Sequence, residues 1–107
     1  MATINKLDHN GLEMLKENAD QAAALLKAMS NKNRLIILCS LFDNEMSVGE
    51  MNNLIPLSQS ALSQHLAALR NAGLVSTRRD SQTIYYSIKD KASGRVITVL
   101  KDVYCPS

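Results

Sequence analysis

Apolar residues recur at three- and four-residue steps along most of this chain and give way to short β-prone runs only after position 73. Leu12, Leu15, Ala19, Ala22, Leu26 and Met29 mark an amphipathic helix over 11–29, because such steps keep side chains on one face at 3.6 residues per turn. That helix ends near Ser30. Ser30 or Asn31 can cap a second helix, in which LIILCSLF from Leu35 to Phe42 is apolar nearly all round and therefore central to the core. Asp43 and Asn44 close it. Ser47, with Glu50 three residues on, matches a capping box and opens a short helix from Val48 to about Leu54, which Pro56 stops.

Ser58 is the next cap. The helix it opens carries Leu62, Leu66 and Leu69 on one stripe and runs to Asn71-Ala72-Gly73, where Gly73 can take the left-handed conformation that ends a helix. Two β-prone runs, Leu74 to Thr77 and Thr83 to Ile88, flank the polar segment Arg78 to Gln82. This predicts a hairpin with a basic, exposed tip and a loop longer than two residues. Val96, Ile97, Val99, Leu100, Val103 and Tyr104 predict a last helix from about Asp90 to Tyr104, broken by Pro106. The order helix, helix, short helix, turn, helix, hairpin, helix is that of a winged helix-turn-helix: mainly α, about five helices and a two-stranded wing. No repeat or linker divides the chain, so 1–107 reads as a single domain, its terminal helices carrying more apolar surface than so small a core needs.

Composition narrows the picture. Of 107 residues 46% are apolar, with no Trp and one Phe. The core must therefore come from Leu, Ile, Val, Met and Ala, which favours helices over a β-sandwich. No run approaches the ~20 apolar residues of a membrane span, and MATINKLDHNG lacks a signal-peptide pattern. The two cysteines, Cys39 and Cys105, are too few for a secreted disulfide scaffold. A cytoplasmic protein with no membrane partner is expected. Without a Gly-rich phosphate loop, paired carboxylates in a polar cluster or a histidine beside a nucleophile, the chain does not read as an enzyme.

Charge matters locally rather than in total. The formal net charge is only +2, yet no Asp or Glu occurs from Met51 to Arg79, where Arg70, Arg78 and Arg79 stand. Such a stretch can neutralise phosphates. On the 58–71 helix the face opposite the leucines carries Ser60, Gln64 and Asn71, small or amide-bearing residues that can enter a major groove. An amide such as that of Gln64 can pair with adenine N6 and N7. Gln59, in the first turn, can offer its side chain or a helix-terminal N–H to phosphate. His65 lies about 60° from the leucine stripe on a 3.6-residue wheel, where a packed, hydrogen-bonded histidine competes with a phosphate contact. Arg78 and Arg79 sit where a wing would reach the DNA backbone, although charges on a hairpin tip are often only solvated.

The segments MSNKNRLIIL, SVGEMNNLIPLSQSALSQHLAALRNAGLV and RRDSQTIYYSI resemble the ArsR/SmtB family of bacterial transcriptional regulators over almost the whole chain. The cysteine in LIILC and the terminal VYC are most similar to the HlyU, BigR and SqrR branch, which senses oxidants or reactive sulfur through a cysteine pair. The exposed apolar remainder of the terminal helices is expected to form the interface of a homodimer on an inverted repeat in double-stranded DNA, with Gln59, Ser60, Ser63, Gln64, His65, Arg78 and Arg79 at the DNA. The resemblance implies base contacts for Ser60, Ser63 and Gln64, favours DNA contact by Arg78 and Arg79, and implies action either by direct repression or by competition with a nucleoid-associated silencer. It implies a redox role for Cys39 and Cys105. Read on residues alone, Cys39 shares a stripe with Leu35, Leu38 and Phe42 and is a small buried hydrophobe, so a regulator with structural cysteines stays open, as does a winged-helix protein-interaction module. No metal or other cofactor is expected. Ser47-Val48-Gly49 stands where metal-sensing relatives carry cysteines, the last helix has no histidine, and His9, Cys39, His65 and Cys105 match no zinc spacing.

Overall fold

The structure is a computed structural model that describes residues 8–105. Five helices and three short strands follow in the order α1 (His9–Met29), α2 (Lys32–Ser40), β1 (Met46–Ser47), α3 (Val48–Leu54), α4 (Gln59–Asn71), β2 (Val75–Asp80), β3 (Thr83–Ile88) and α5 (Lys91–Tyr104). This is the winged helix-turn-helix that the hydrophobic pattern predicts. Pro106 lies outside the described residues.

Local chemistry accounts for each boundary. Asp8 caps α1 by accepting from the Gly11 N–H at 2.7 Å, so the helix begins two residues before the expected Gly11. Asn31, rather than Ser30, caps α2 through the N–H groups of Asn33 and Arg34. The capping box is formed: Ser47 Oγ accepts from Glu50 N–H at 3.1 Å while Glu50 Oε1 accepts from Ser47 N–H at 2.9 Å. In the turn between α3 and α4, Asn52 Nδ2 donates to the Leu57 carbonyl at 2.8 Å, fixing the angle at which α4 leaves. Ser58 accepts from Ala61 N–H, and Gly73, at φ 80°, ends α4 as expected.

Leu62, Leu66 and Leu69 of α4 are fully buried, together with Ile37, Leu38 and Leu41 from α2 and its end, Met51 and Ile97. One core thus holds α2, α3, α4 and α5 together. Helix α1 joins it only through its last turns, where Met29 is buried and Leu25 half-buried, while every residue from Leu12 to Ala24 is exposed. The Cα radius of gyration of 16.2 Å exceeds the about 13 Å of a compact domain this size.

The wing corrects the sequence expectation twice. Strand β2 continues through Arg78, Arg79 and Asp80, with Asp80 opposite Thr83, so the loop is only the two residues Ser81 and Gln82 and Ser81 takes φ 57°. The polar run looked like a loop because a strand that projects into water has no apolar face to alternate with. The second correction is a third strand: β1 pairs antiparallel with β3, Met46 opposite Tyr86 and Ser47 opposite Tyr85, giving the order β1-β3-β2. A strand of two residues leaves no period in a sequence.

Candidate nucleic-acid interface and thiol pair

Burying three leucines fixes the rotation of α4 and turns its other side outward. Gln59, Ser60, Ser63, Gln64 and Ala67 are all exposed, and the exposed side of the helix carries no carboxylate. That surface is small-featured and rich in hydrogen-bonding groups, as entry into a major groove requires.

His65 is turned the other way. It is half-buried, and its Nδ1 accepts from Arg34 Nε at 3.3 Å while Arg34 Nη1 donates to the Ala28 carbonyl at 3.3 Å. An accepting Nδ1 places the ring proton on Nε2. Arg34 thereby joins the end of α1, the start of α2 and the middle of α4, and among the described residues it forms no ion pair.

The two wing arginines differ. Alternation along β2 sends Arg78 and Arg79 to opposite faces of the sheet. Arg79 is exposed and forms no ion pair among the described residues. Arg78 makes a two-pronged bond to Glu45, Nε to Oε2 at 2.9 Å and Nη2 to Oε1 at 2.8 Å, and its guanidinium lies 4.8 Å from the centre of the Tyr85 ring. The Arg78 hydrogen bonds hold the Glu45 carboxyl below its ordinary pKa, and Glu45 in turn raises that of the guanidinium. Sequence reading misses Glu45: it is 33 positions from Arg78 and meets it only because β1 and β2 flank β3.

Helices α2 and α5 pack against each other, bringing together the ends that carry the cysteines. Both thiols are free; Cys39 is half-buried and Cys105 exposed. Burial first, then charge on the nearby Cys105, push the Cys39 thiol above its ordinary pKa, and Lys101 pulls the other way. Lys101 Nζ lies 4.9 Å from the centre of the Phe42 ring, at this same junction. Since the thiolate is the reactive form, Cys105 is the more available nucleophile and Cys39 the more protected one. Among the described residues no three His, Cys, Asp or Glu side chains converge into a group that could hold a metal ion, and no helix is long and apolar enough to cross a membrane.

Residues 31–77 match the profile described as bacterial regulatory protein, arsR family. The chain is 50% identical over 94 residues to the transcriptional activator HlyU of Vibrio cholerae serotype O1, covering 88% of this chain and 87% of that protein. It is 52% identical over 96 residues to the HTH-type transcriptional regulator YgaV of Escherichia coli K12, covering 89% and 97%. The structure of reduced HlyU from Vibrio cholerae N16961 superimposes with a TM-score of 0.83 at 49% identity, over 87% of this chain and 98% of that one.

Proposed function

The chain belongs to the arsR family of bacterial regulatory proteins and is a DNA-binding transcriptional regulator with the winged-helix fold of that family, and from that premise we propose that it acts as a homodimer on an inverted repeat and releases DNA when Cys39 and Cys105 are oxidised or joined by sulfur. The observation that carries the DNA reading is the exposed, carboxylate-free face of α4, set by the burial of Leu62, Leu66 and Leu69. Gln59, Ser60, Ser63 and Gln64 supply contacts to base edges and phosphates. His65, with its Nδ1 taken by Arg34, can offer only Nε2–H to a phosphate. Arg79 is the wing's available cation.

Dimerisation is supported by apolar surface left in water. Leu12, Leu15 and Leu26 of α1 and Val99, Val103 and Tyr104 of α5 are between 41% and 76% exposed. On α5 the apolar positions span about 160° of the wheel, Ile97 at one side in the core and Val99 and Val103 at the other. A helix that projects as α1 does, with an apolar stripe in solvent, gains most of its stability only when that stripe is covered. A second copy of the chain covers both stripes and sets two α4 helices about one DNA turn apart.

The thiol switch is supported by the placement of the pair. Cys39 sits on a core helix and Cys105 at the end of the proposed dimer helix, so a covalent link ties the recognition core to the interface that sets its spacing. A state that disfavours the DNA-bound spacing weakens binding by its differential free energy.

Paired substitutions test the DNA reading. Gln64→Ala is expected to cost about 1–3 kcal/mol on the cognate inverted repeat and to relax preference at one base position, whereas Arg79→Gln should weaken all duplexes alike and lower the salt slope. Fluorescence anisotropy across a salt series on operator and scrambled duplexes checks both. Equal losses on the two duplexes for Gln64→Ala would show that it reads no base, and salt-independent binding by the parent would favour a protein-interaction module.

A further inference from the structure

We propose that Glu45 sets how tightly the wing holds DNA, by occupying Arg78 so that a phosphate has to displace a carboxylate before that cation counts. The proposal rests on the DNA-binding reading above and concerns a residue outside the recognition helix. Glu45 stands just before β1, and its two oxygens take Nε and Nη2 of Arg78 at 2.9 and 2.8 Å. The planar fork that grips a carboxylate in this way grips a phosphate with the same geometry, so the two anions compete for one site. Asp80 adds negative charge near the same guanidinium, while the Tyr85 ring at 4.8 Å supports the guanidinium from within the sheet.

The pair is poised to exchange rather than to lock. Both side chains are open to water, 53% exposed for Arg78 and 39% for Glu45, and solvent-exposed ion pairs are weak. A phosphate can therefore take the guanidinium, at the expense of releasing Glu45 instead of a condensed counterion. In counterion terms Arg79 contributes in full and Arg78 does not. The consequence is selective: the pair lowers sequence-independent affinity and leaves a larger share of the binding free energy to base contacts from α4, which raises the ratio of specific to non-specific binding.

A double-mutant cycle on the full chain tests this, with the parent, Glu45→Gln, Arg78→Gln and the double variant titrated against a mixed-sequence duplex over a range of salt concentrations. Glu45→Gln should bind several-fold tighter and steepen the salt slope by about 0.9 per wing, about 1.8 for a dimer. Arg78→Gln should change little while Glu45 is present. In the Glu45→Gln background the same substitution should abolish both the gain and the extra slope. Matching thermal melts of the four proteins separate these changes from effects on folding. A general loss of negative charge would raise affinity equally with or without Arg78, and that additive result overturns the proposal, as would weaker binding by Glu45→Gln. If the parent binds the duplex and the cycle is additive, this inference alone falls; if no protein of the four binds in a salt-dependent way, the DNA reading falls with it.

Discussion

A single glutamate on the terminal helices is expected to take the protein apart into monomers. Leu15 on α1 is 54% exposed and Val103 on α5 is 61% exposed, so neither Leu15→Glu nor Val103→Glu disturbs the core formed around α4. In the proposed dimer both side chains are covered, and a carboxylate there loses its hydration without gaining a partner. Sedimentation at micromolar concentration should give a dimer for the parent and a monomer for each variant, with unchanged helical content. Affinity for the inverted repeat should fall by about 10²–10⁴-fold, since two half-sites then bind independently and the effective concentration of the second is lost. Variants that remain dimeric would place the interface elsewhere.

Leu66→Ala acts through the core instead of the surface. Leu66 has no exposed surface and lies between Leu62 and Leu69, also fully buried, so truncation removes apolar contacts and leaves a cavity beneath the recognition helix. The expected loss is about 2–5 kcal/mol, a large part of the 5–15 kcal/mol by which a domain is typically stable. Urea unfolding should show the shift in midpoint, and Ala67→Ser at the exposed neighbouring position should stay within about 0.5 kcal/mol of the parent. Equal stability of Leu66→Ala and the parent would mean that α4 is not anchored by its leucine stripe, and the outward face argued from that stripe would lose its basis.

Much of this was legible in the chain because its signals are local. Ser58 and Gly73 bracket α4 with residues whose chemistry starts and stops helices within one turn, and the three leucines settle its rotation. Ser47 and Glu50 likewise announce α3 by themselves. The wing is less legible. Arg78, Arg79 and Asp80 are strand residues held by backbone pairing with β3, a long-range arrangement that side-chain pattern does not encode when both faces are wet. Asp8 caps α1 from beyond the first periodic residue, Leu12, so periodicity placed the start late. Glu45 was invisible for the same reason as β1: its partner becomes a neighbour only after the sheet has formed. The cysteines are intermediate. The stripe that Cys39 shares with Leu35, Leu38 and Phe42 predicts full burial, yet the thiol is only half-buried, and the closeness of the pair depends on how α5 packs on α2.

The thiol pair decides whether DNA binding is switched, and each step of its chemistry can be followed. The exposed Cys105 thiolate attacks the outer sulfur of an organic persulfide, expelling the donor's thiolate and becoming a protein persulfide. Cys39, once deprotonated, then attacks the Cys105 sulfur and expels hydrosulfide, which leaves a disulfide that a reductant can open. Because burial and the neighbouring thiol raise the pKa of Cys39, the second step should speed up as pH rises toward that pKa, and Cys105 should be the first site labelled. The decisive measurement follows operator affinity and intact mass on the same samples of the parent, Cys39→Ser and Cys105→Ser, before and after persulfide and again after reductant. A parent that loses affinity as the link forms and regains it on reduction, with both single variants binding as the reduced parent does throughout, is the predicted result. A linked parent that binds the operator unchanged, or a single variant that still responds in full, would contradict it and make the cysteines structural.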